Sequence, residues 1–149
     1  MKKRRLIVFI LLLAAVTTFL FADDPEVRVR IIYTEDEIKL SSESKLYVFN
    51  QHEDRIILRG ERTFSIELRD KVLKLIDDKE RVLIQGSSIK IENNDKNKPI
   101  GIKQVPYGIG WFWAGSEDRI YKGNLEFYIN KEQKIDVISV LDIETYLLG

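Results

Sequence analysis

Two neighbouring stretches, Leu125-Glu126-Phe127-Tyr128-Ile129 and Lys134-Ile135-Asp136-Val137-Ile138-Ser139-Val140-Leu141, decide the fold class of this chain. The first alternates apolar and polar positions, and the second is rich in β-branched residues, as is typical of half-buried strands. Asn130-Lys131-Glu132 lies between them and carries turn-forming polar residues. The two stretches are therefore predicted to form an antiparallel hairpin.

The same period of two extends upstream through most of the chain. Val27, Val29 and Ile31 alternate with Arg28 and Arg30. Short apolar runs then recur about every 8–12 residues, with polar turn signals between them, which indicates a β-dominated domain. These runs are Ile38/Leu40, Leu46/Val48, Ile56/Leu58, Phe64/Ile66/Leu68, Val82/Ile84 and Ile89/Ile91.

Two segments leave a choice of interpretation. Val72-Leu73-Lys74-Leu75-Ile76 fits a strand or one helical turn, and the charged residues that bracket it closely favour a strand. The polar segment from Asn93 to Pro99 is interpreted as a long hairpin loop within one domain.

The end of the chain has a helical pattern. Asp142 is placed to cap a helix, since its carboxylate can accept from an N–H of the first turn. Ile143, Tyr146 and Leu147 follow at positions that share one helical face. An apolar face of this kind needs a covering partner, so we expect a truncated amphipathic helix. The predicted fold class is mainly β (α+β), with short antiparallel hairpins and this helix at the C-terminus.

Residues 1–22 are predicted to be a signal peptide or a signal anchor. A basic cluster at Lys2 to Arg5 precedes an uncharged run from Leu6 to Ala22. We therefore expect an extracytoplasmic protein that is secreted, periplasmic or membrane-anchored facing the cell wall. Contact with a membrane is expected only through residues 6–22, and only if they are not cleaved.

The charge balance and the absence of cysteine limit the function further. Removing residues 1–22 takes away four basic groups and leaves 20 basic against 24 acidic residues, a net charge of −4. So mild a balance argues against nucleic acid as a partner. The chain has no cysteine, so its apolar core and not disulfides must hold the fold together.

Two motifs resemble the SpoIID/LytB family, which comprises stage II sporulation protein D and amidase-enhancer proteins. Tyr121-Lys122-Gly123-Asn124-Leu125-Glu126-Phe127 is similar to the segment that opens the family's domain. Val137-Ile138-Ser139-Val140-Leu141-Asp142-Ile143-Glu144-Thr145-Tyr146-Leu147-Leu148-Gly149 is similar to the next segment, Val-Val-Asn-x-Leu-Pro-Leu-Glu-Asp-Tyr-Leu-x-Gly. Asp142, Ser139 and Thr145 depart from the family's Pro, Asn and Asp.

The resemblance implies a division of the chain and an activity. Residues 23–118 would form a β-rich N-terminal region, loosely similar to the family from Val27 to Lys103, and residues 119–149 the start of a truncated SpoIID/LytB-like domain. Full-length members resembling stage II sporulation protein D are peptidoglycan lytic transglycosylases that act in sporulation or cell-wall remodelling. Their acid/base Glu belongs to a Ser-Glu-Met-Pro-like motif just after the second segment, and no residue up to Gly149 matches it.

No catalytic residue is therefore assigned, and we expect the chain alone to be inactive. Its expected partners are peptidoglycan glycan strands. Two alternatives stay open: a non-catalytic peptidoglycan-binding or amidase-enhancer module that assists another cell-wall hydrolase, and a structural exported β-domain.

Three residues are candidate substrate contacts. Trp111 and Trp113 lie two apart, so on a strand they would face the same side and could offer a platform for sugar rings. They could equally fill the core of a small domain. Glu144 could support the edge of a site, but the first helical turn favours the ionised carboxylate, which suits a structural charge better than a general acid.

Other chemistries find little support in the sequence. His52 is the single histidine and lies in a polar turn, so zinc would have to use carboxylates as its other ligands, which zinc sites seldom do. No serine has a triad partner other than this histidine. Gly108-Ile109-Gly110 lacks the further residues of a phosphate-binding loop. We therefore expect no metal and no cofactor.

Overall fold

A computed structural model describes residues 25–148 of the chain, so the predicted signal segment at residues 1–22 lies outside the described residues. The described part contains twelve strands and one short helix. The strands are β1 (Glu26–Thr34), β2 (Ile38–Ser42), β3 (Leu46–Asn50), β4 (Arg55–Leu58), β5 (Arg62–Arg69), β6 (Val72–Asp77), β7 (Val82–Gly86), β8 (Ser88–Asn93), β9 (Ile100–Tyr107), β10 (Gly115–Tyr121), β11 (Asn124–Ile129) and β12 (Ile135–Asp142), and the helix is α1 (Ile143–Leu148).

The strands form two six-stranded antiparallel sheets. Sheet 1 has the order β1-β12-β11-β8-β3-β4, and sheet 2 has the order β10-β9-β2-β5-β6-β7. The prediction of a mainly β fold built from short antiparallel hairpins, with a helix at the C-terminus, is confirmed. The segment Val72–Ile76 is a strand, as its flanking charges indicated.

The two sheets enclose one hydrophobic core. Every strand except β10 contributes buried apolar side chains: Leu125 and Phe127 from β11, for example, are fully buried opposite Leu73 and Leu75 on β6 in the other sheet. Burial of this kind stabilises a fold by about 25 cal/mol per Å² of apolar surface. All members of the core cluster lie between Ile32 and Val137, so a chain that starts at residue 23 keeps the whole core.

The predicted hairpin forms, with β11 and β12 paired antiparallel. Leu125 pairs with Ser139 and Phe127 with Val137 on the core side of sheet 1. Strand β12 also pairs with β1, so the first and last strands of the described chain are neighbours. The boundary expected after residue 118 falls inside β10.

One expected connection is different. The segment between Asn93 and Ile100 was interpreted as a hairpin loop, but β8 belongs to sheet 1 and β9 to sheet 2. The segment therefore crosses between the sheets and does not join paired strands. Turn residues indicate that a chain reverses, but they do not indicate which strand it pairs with afterwards.

Candidate functional site

The two tryptophans lie on a loop at the end of the β9–β10 hairpin. Two successive tight turns form this loop: the N–H of Trp111 donates to the carbonyl of Gly108 at 2.9 Å, and the N–H of Ala114 donates to the carbonyl of Trp111 at 3.0 Å. Gly108 has a φ of +61°, and a Cβ there would lie 2.5 Å from the Trp113 ring. Glycine therefore permits both the turn and the close approach of the indole. We call residues 107–113 the aromatic tip.

Three rings of the aromatic tip are nearly parallel and close together. The ring centroids of Tyr107 and Trp113 are 6.5 Å apart, and those of Trp111 and Trp113 are 6.3 Å apart, with interplanar angles of 18° and 22°. Trp111 is 64% exposed, and Phe112 between the two indoles is 99% exposed. The alternative that these tryptophans fill the core is therefore wrong, and they lie on a turn and not on a strand. Their contact with sugar stays a prediction.

Glu144 lies on the exposed side of α1. The cap in front of it forms as predicted: the N–H of Thr145 donates to Asp142 Oδ1 at 2.7 Å. Lys96 Nζ, from the segment that crosses between the sheets, donates to Asp142 Oδ2 at 2.6 Å. The Lys96 ammonium and then the Thr145 N–H hold the pKa of Asp142 well below its usual range.

The apolar face of α1 is exposed. Ile143, Tyr146 and Leu147 share this face, as expected.

A polar groove of about 630 Å³ lies beside α1. Its lining includes Lys122, Gly123 and Asn124 at the start of β11, the end of β12 and Thr145. A Cβ on Gly123 would lie 2.1 Å from the Val140 carbonyl oxygen, so only glycine allows the two strands to approach this closely. We call this the helix groove. Both sequence segments that resemble the SpoIID/LytB family line it.

The helix groove and the aromatic tip are separate places. Strand β10 leads from the tip to Tyr121, next to the groove, and its seven residues span about 20 Å at the usual strand rise. The structure therefore does not bring Trp111 and Trp113 to the same site as Glu144.

Sequence reasoning missed a charged pair on the outer face of sheet 1, in which a buried carboxylate meets a half-exposed guanidinium. Glu126 on β11 is buried, and both of its carboxylate oxygens accept hydrogen bonds from the guanidinium of Arg28 on β1. The hydroxyl of Tyr128 also donates to Glu126, at 2.7 Å. Burial, the largest single effect, raises the pKa of Glu126, but the bonds from Arg28 and Tyr128 together outweigh it, so the pKa is lowered.

The pairing rules out Glu126 as a general acid in this arrangement, because an acid must hold its proton near neutral pH.

Part of this pair could have been found from the sequence, because the alternation of β11 puts Glu126 and Tyr128 on one face. The partner Arg28 comes from a strand 98 positions away in the sequence, which no local pattern indicates.

Metal binding finds no geometric support in the described part of the chain. Between residues 25 and 148, no three His, Cys, Asp or Glu side chains lie together as a metal site would require. His52 is exposed in the β3–β4 turn, where its backbone N–H donates to Asn50 Oδ1 at 3.0 Å.

Comparisons with models of protein families, with curated proteins and with solved structures find no match to this chain. Within residues 25–148, no helix has the length and apolar character needed to cross a bilayer.

Proposed function

We propose that this chain is an exported, cell-wall-associated module that is related to the leading part of SpoIID/LytB proteins and binds peptidoglycan glycan strands in its helix groove. One observation carries the proposal. The two segments that suggested the family, described here over Tyr121–Phe127 and Val137–Leu148, include two neighbouring strands, and residues at the ends of these strands line one polar groove.

The chemistry of the helix groove suits a carbohydrate. Sugar hydroxyls require donors and acceptors at fixed positions, and binding sites supply them as a few convergent polar groups. Lys122 and Asn124 offer donors, Glu26 offers carboxylate oxygens, and Val140 and Leu141 add apolar surface. A glycan strand is a long polymer, and a groove that is partly open to solvent can accept a short part of it.

The module would bind and not cleave. Breaking a glycosidic bond requires a carboxyl group that protonates the leaving oxygen. Of the two glutamates in the family-like segments, Glu126 is held ionised by Arg28, and Glu144 lies exposed on α1 outside the residues that line the groove. We therefore expect residues 23–149 to bind denuded peptidoglycan without turning it over.

Co-sedimentation of residues 23–149 with purified, peptide-free peptidoglycan tests the proposal. We expect Lys122→Glu to weaken binding about tenfold, because it places an acidic group where a donor stood. Lys131→Glu is the matched control: it makes the same charge change in the turn at the opposite end of the same hairpin and should bind like the unchanged protein.

Two outcomes would contradict the proposal. Equal binding by the Lys122→Glu and Lys131→Glu variants would remove the helix groove from the interaction. Release of soluble glycan fragments by the chain would show that the binding-only role is wrong.

A further inference from the structure

The residues around the aromatic tip differ in composition from the rest of the exported chain. Charged residues make up 32% of the whole sequence, yet residues 104–116 contain none. This is the longest uncharged stretch after residue 22. The end of a hairpin that faces solvent normally carries charged side chains. The absence of charged residues here is therefore not explained by burial in the core of the fold.

The tip presents large apolar side chains to solvent. Ile109 is 73% exposed and Phe112 is 99% exposed, next to the half-exposed indoles of Trp111 and Trp113. Strand β2 pairs with β9 only at Gly101 and Ile102. The distal part of the hairpin therefore has only its own two strands as paired neighbours.

Two of the backbone N–H groups at the aromatic tip have acceptors within the protein. The N–H groups of Trp111 and Ala114 already donate to carbonyls inside the loop. Moving an unbonded N–H out of water costs several kcal/mol, so this internal bonding lowers the cost of entering lipid.

The base of the same hairpin is charged but balanced. Lys103 Nζ lies 2.8 Å from Asp118 Oδ2, and Arg119 Nε lies 2.6 Å from Glu117 Oε1. These two ion pairs form a neutral collar below the tip. Such a collar gives little attraction to anionic surfaces and stops the hairpin from sinking deeper than its uncharged end.

We propose that the aromatic tip inserts into the boundary between headgroups and acyl chains of a lipid bilayer. Tryptophan concentrates at that boundary because its ring is apolar and its N–H is polar, and phenylalanine reaches further into the acyl region. A glycan partner fits the tip less well, because residues 105–116 contain no amide or charged side chain to bond sugar hydroxyls. The contact is separate from the helix groove and goes beyond the proposed function.

Intrinsic fluorescence tests this proposal directly, because Trp111 and Trp113 are the only tryptophans in the chain. The probe is residues 23–149 titrated with phosphatidylcholine vesicles. We expect the emission to shift to shorter wavelengths as the indoles leave water. The shift should persist as the ionic strength rises, because the collar around the tip is neutral.

Variants on one hairpin separate insertion from loss of fold. Phe112→Ser removes a side chain that touches almost nothing in the folded chain, and we expect about tenfold weaker vesicle binding. Ile120→Ser is the matched control, since Ile120 is also exposed but lies on β10 below the tip, and its binding should be unchanged. Far-UV circular dichroism should be the same for both variants.

Three results would overturn the proposal. The first is an emission spectrum that vesicles do not move. The second is binding that requires anionic lipid and disappears with salt. The third is a spectral shift caused by peptide-free glycan strands and lost in Phe112→Ser, which would assign the tip to carbohydrate. Lys122→Glu should leave vesicle binding intact, so failure at the tip and failure at the helix groove are distinguishable.

Discussion

At the scale of single residues, Glu126 is the position where burial of a charged group would cost the most free energy without partners. A carboxylate taken out of water is costly unless charged and hydrogen-bonding partners compensate it. Here Arg28 approaches with two nitrogens and Tyr128 adds a third bond, and no buried side-chain nitrogen or oxygen within residues 25–148 lacks a partner. The pair ties the first strand of sheet 1 to β11 across the intervening β12.

We expect Arg28→Ala to lower the free energy of unfolding by about 2 kcal/mol at neutral pH, because it leaves the buried carboxylate of Glu126 without its cation. The estimate lies below the range for fully buried pairs because Arg28 is half exposed. Arg30→Ala on the same strand is the control: Arg30 is exposed and 3.8 Å from Asp136, so its removal should cost less than about 0.5 kcal/mol. Urea unfolding measures both.

The difference in the free energy of unfolding between Arg28→Ala and the unchanged protein should depend on pH, and this dependence is a second test of the pair of Arg28 and Glu126. The pKa of Glu126 in the folded chain lies below its ordinary value of 4.5. The unfolded chain therefore takes up the proton first as the pH falls, so the stabilisation by Arg28 is complete above that value and is lost below it. The gap between Arg28→Ala and the unchanged protein should narrow in acid. A gap that is constant from neutral pH to pH of about 3 would mean that lost packing, not charge, causes it.

At the scale of elements, three hairpin loops repeat one design. They are Asn50–Asp54, Asp77–Arg81 and Asn130–Lys134. In each loop, one side-chain oxygen of the first residue accepts from the N–H groups of the third and fifth residues. The fourth residue in each has a positive φ, at Glu53, Glu80 and Gln133. This is a turn of three loop residues that ends in the left-handed conformation.

The positive φ predicts a stabilising substitution. Gln133 has a φ of +58°, which costs a side chain with a Cβ about 1 kcal/mol, whereas glycine adopts it freely. We expect Gln133→Gly to raise the free energy of unfolding by about 0.5–1 kcal/mol. Lys131→Gly, two positions earlier in the same loop and without a positive φ, should instead lower it slightly. Equal effects of the two variants in thermal unfolding would contradict this explanation of the turn.

At the scale of the whole molecule, the first and last strands that the structure describes pair with each other. The pairing of β1 with β12 joins residues more than 100 positions apart, and side chains of both sheets share one core cluster. Such non-local contacts can form only when most of the chain is in place, which favours a single cooperative unit that folds slowly.

We expect the two sheets to unfold together. Leu75→Ala on β6 of sheet 2 should lower the free energy of unfolding by about 3 kcal/mol, because it leaves a cavity at a fully buried position. Hydrogen exchange at Val137 on β12 of sheet 1 should then accelerate by the same free energy. Val82→Ala, at a half-exposed position of β7, is the control and should change exchange little. Acceleration confined to sheet 2 would show that the sheets open separately.

The sequence alone determined the features that depend on neighbouring residues. The alternation of Leu125 and Phe127 with polar positions set the strand class, and Asp142 set the start of α1, because a strand face and a helix cap are both local properties of the chain. The hairpin turns were visible for the same reason. The tertiary structure alone decided which strands pair, and so it sent Asn93–Pro99 from one sheet to the other. It also joined Arg28 to Glu126 and placed Trp111 and Trp113 on a loop that does not line the helix groove. Those outcomes depend on how two sheets bury one common core. The free energy of that burial depends on the apolar area removed from water and not on which residues are neighbours in the sequence.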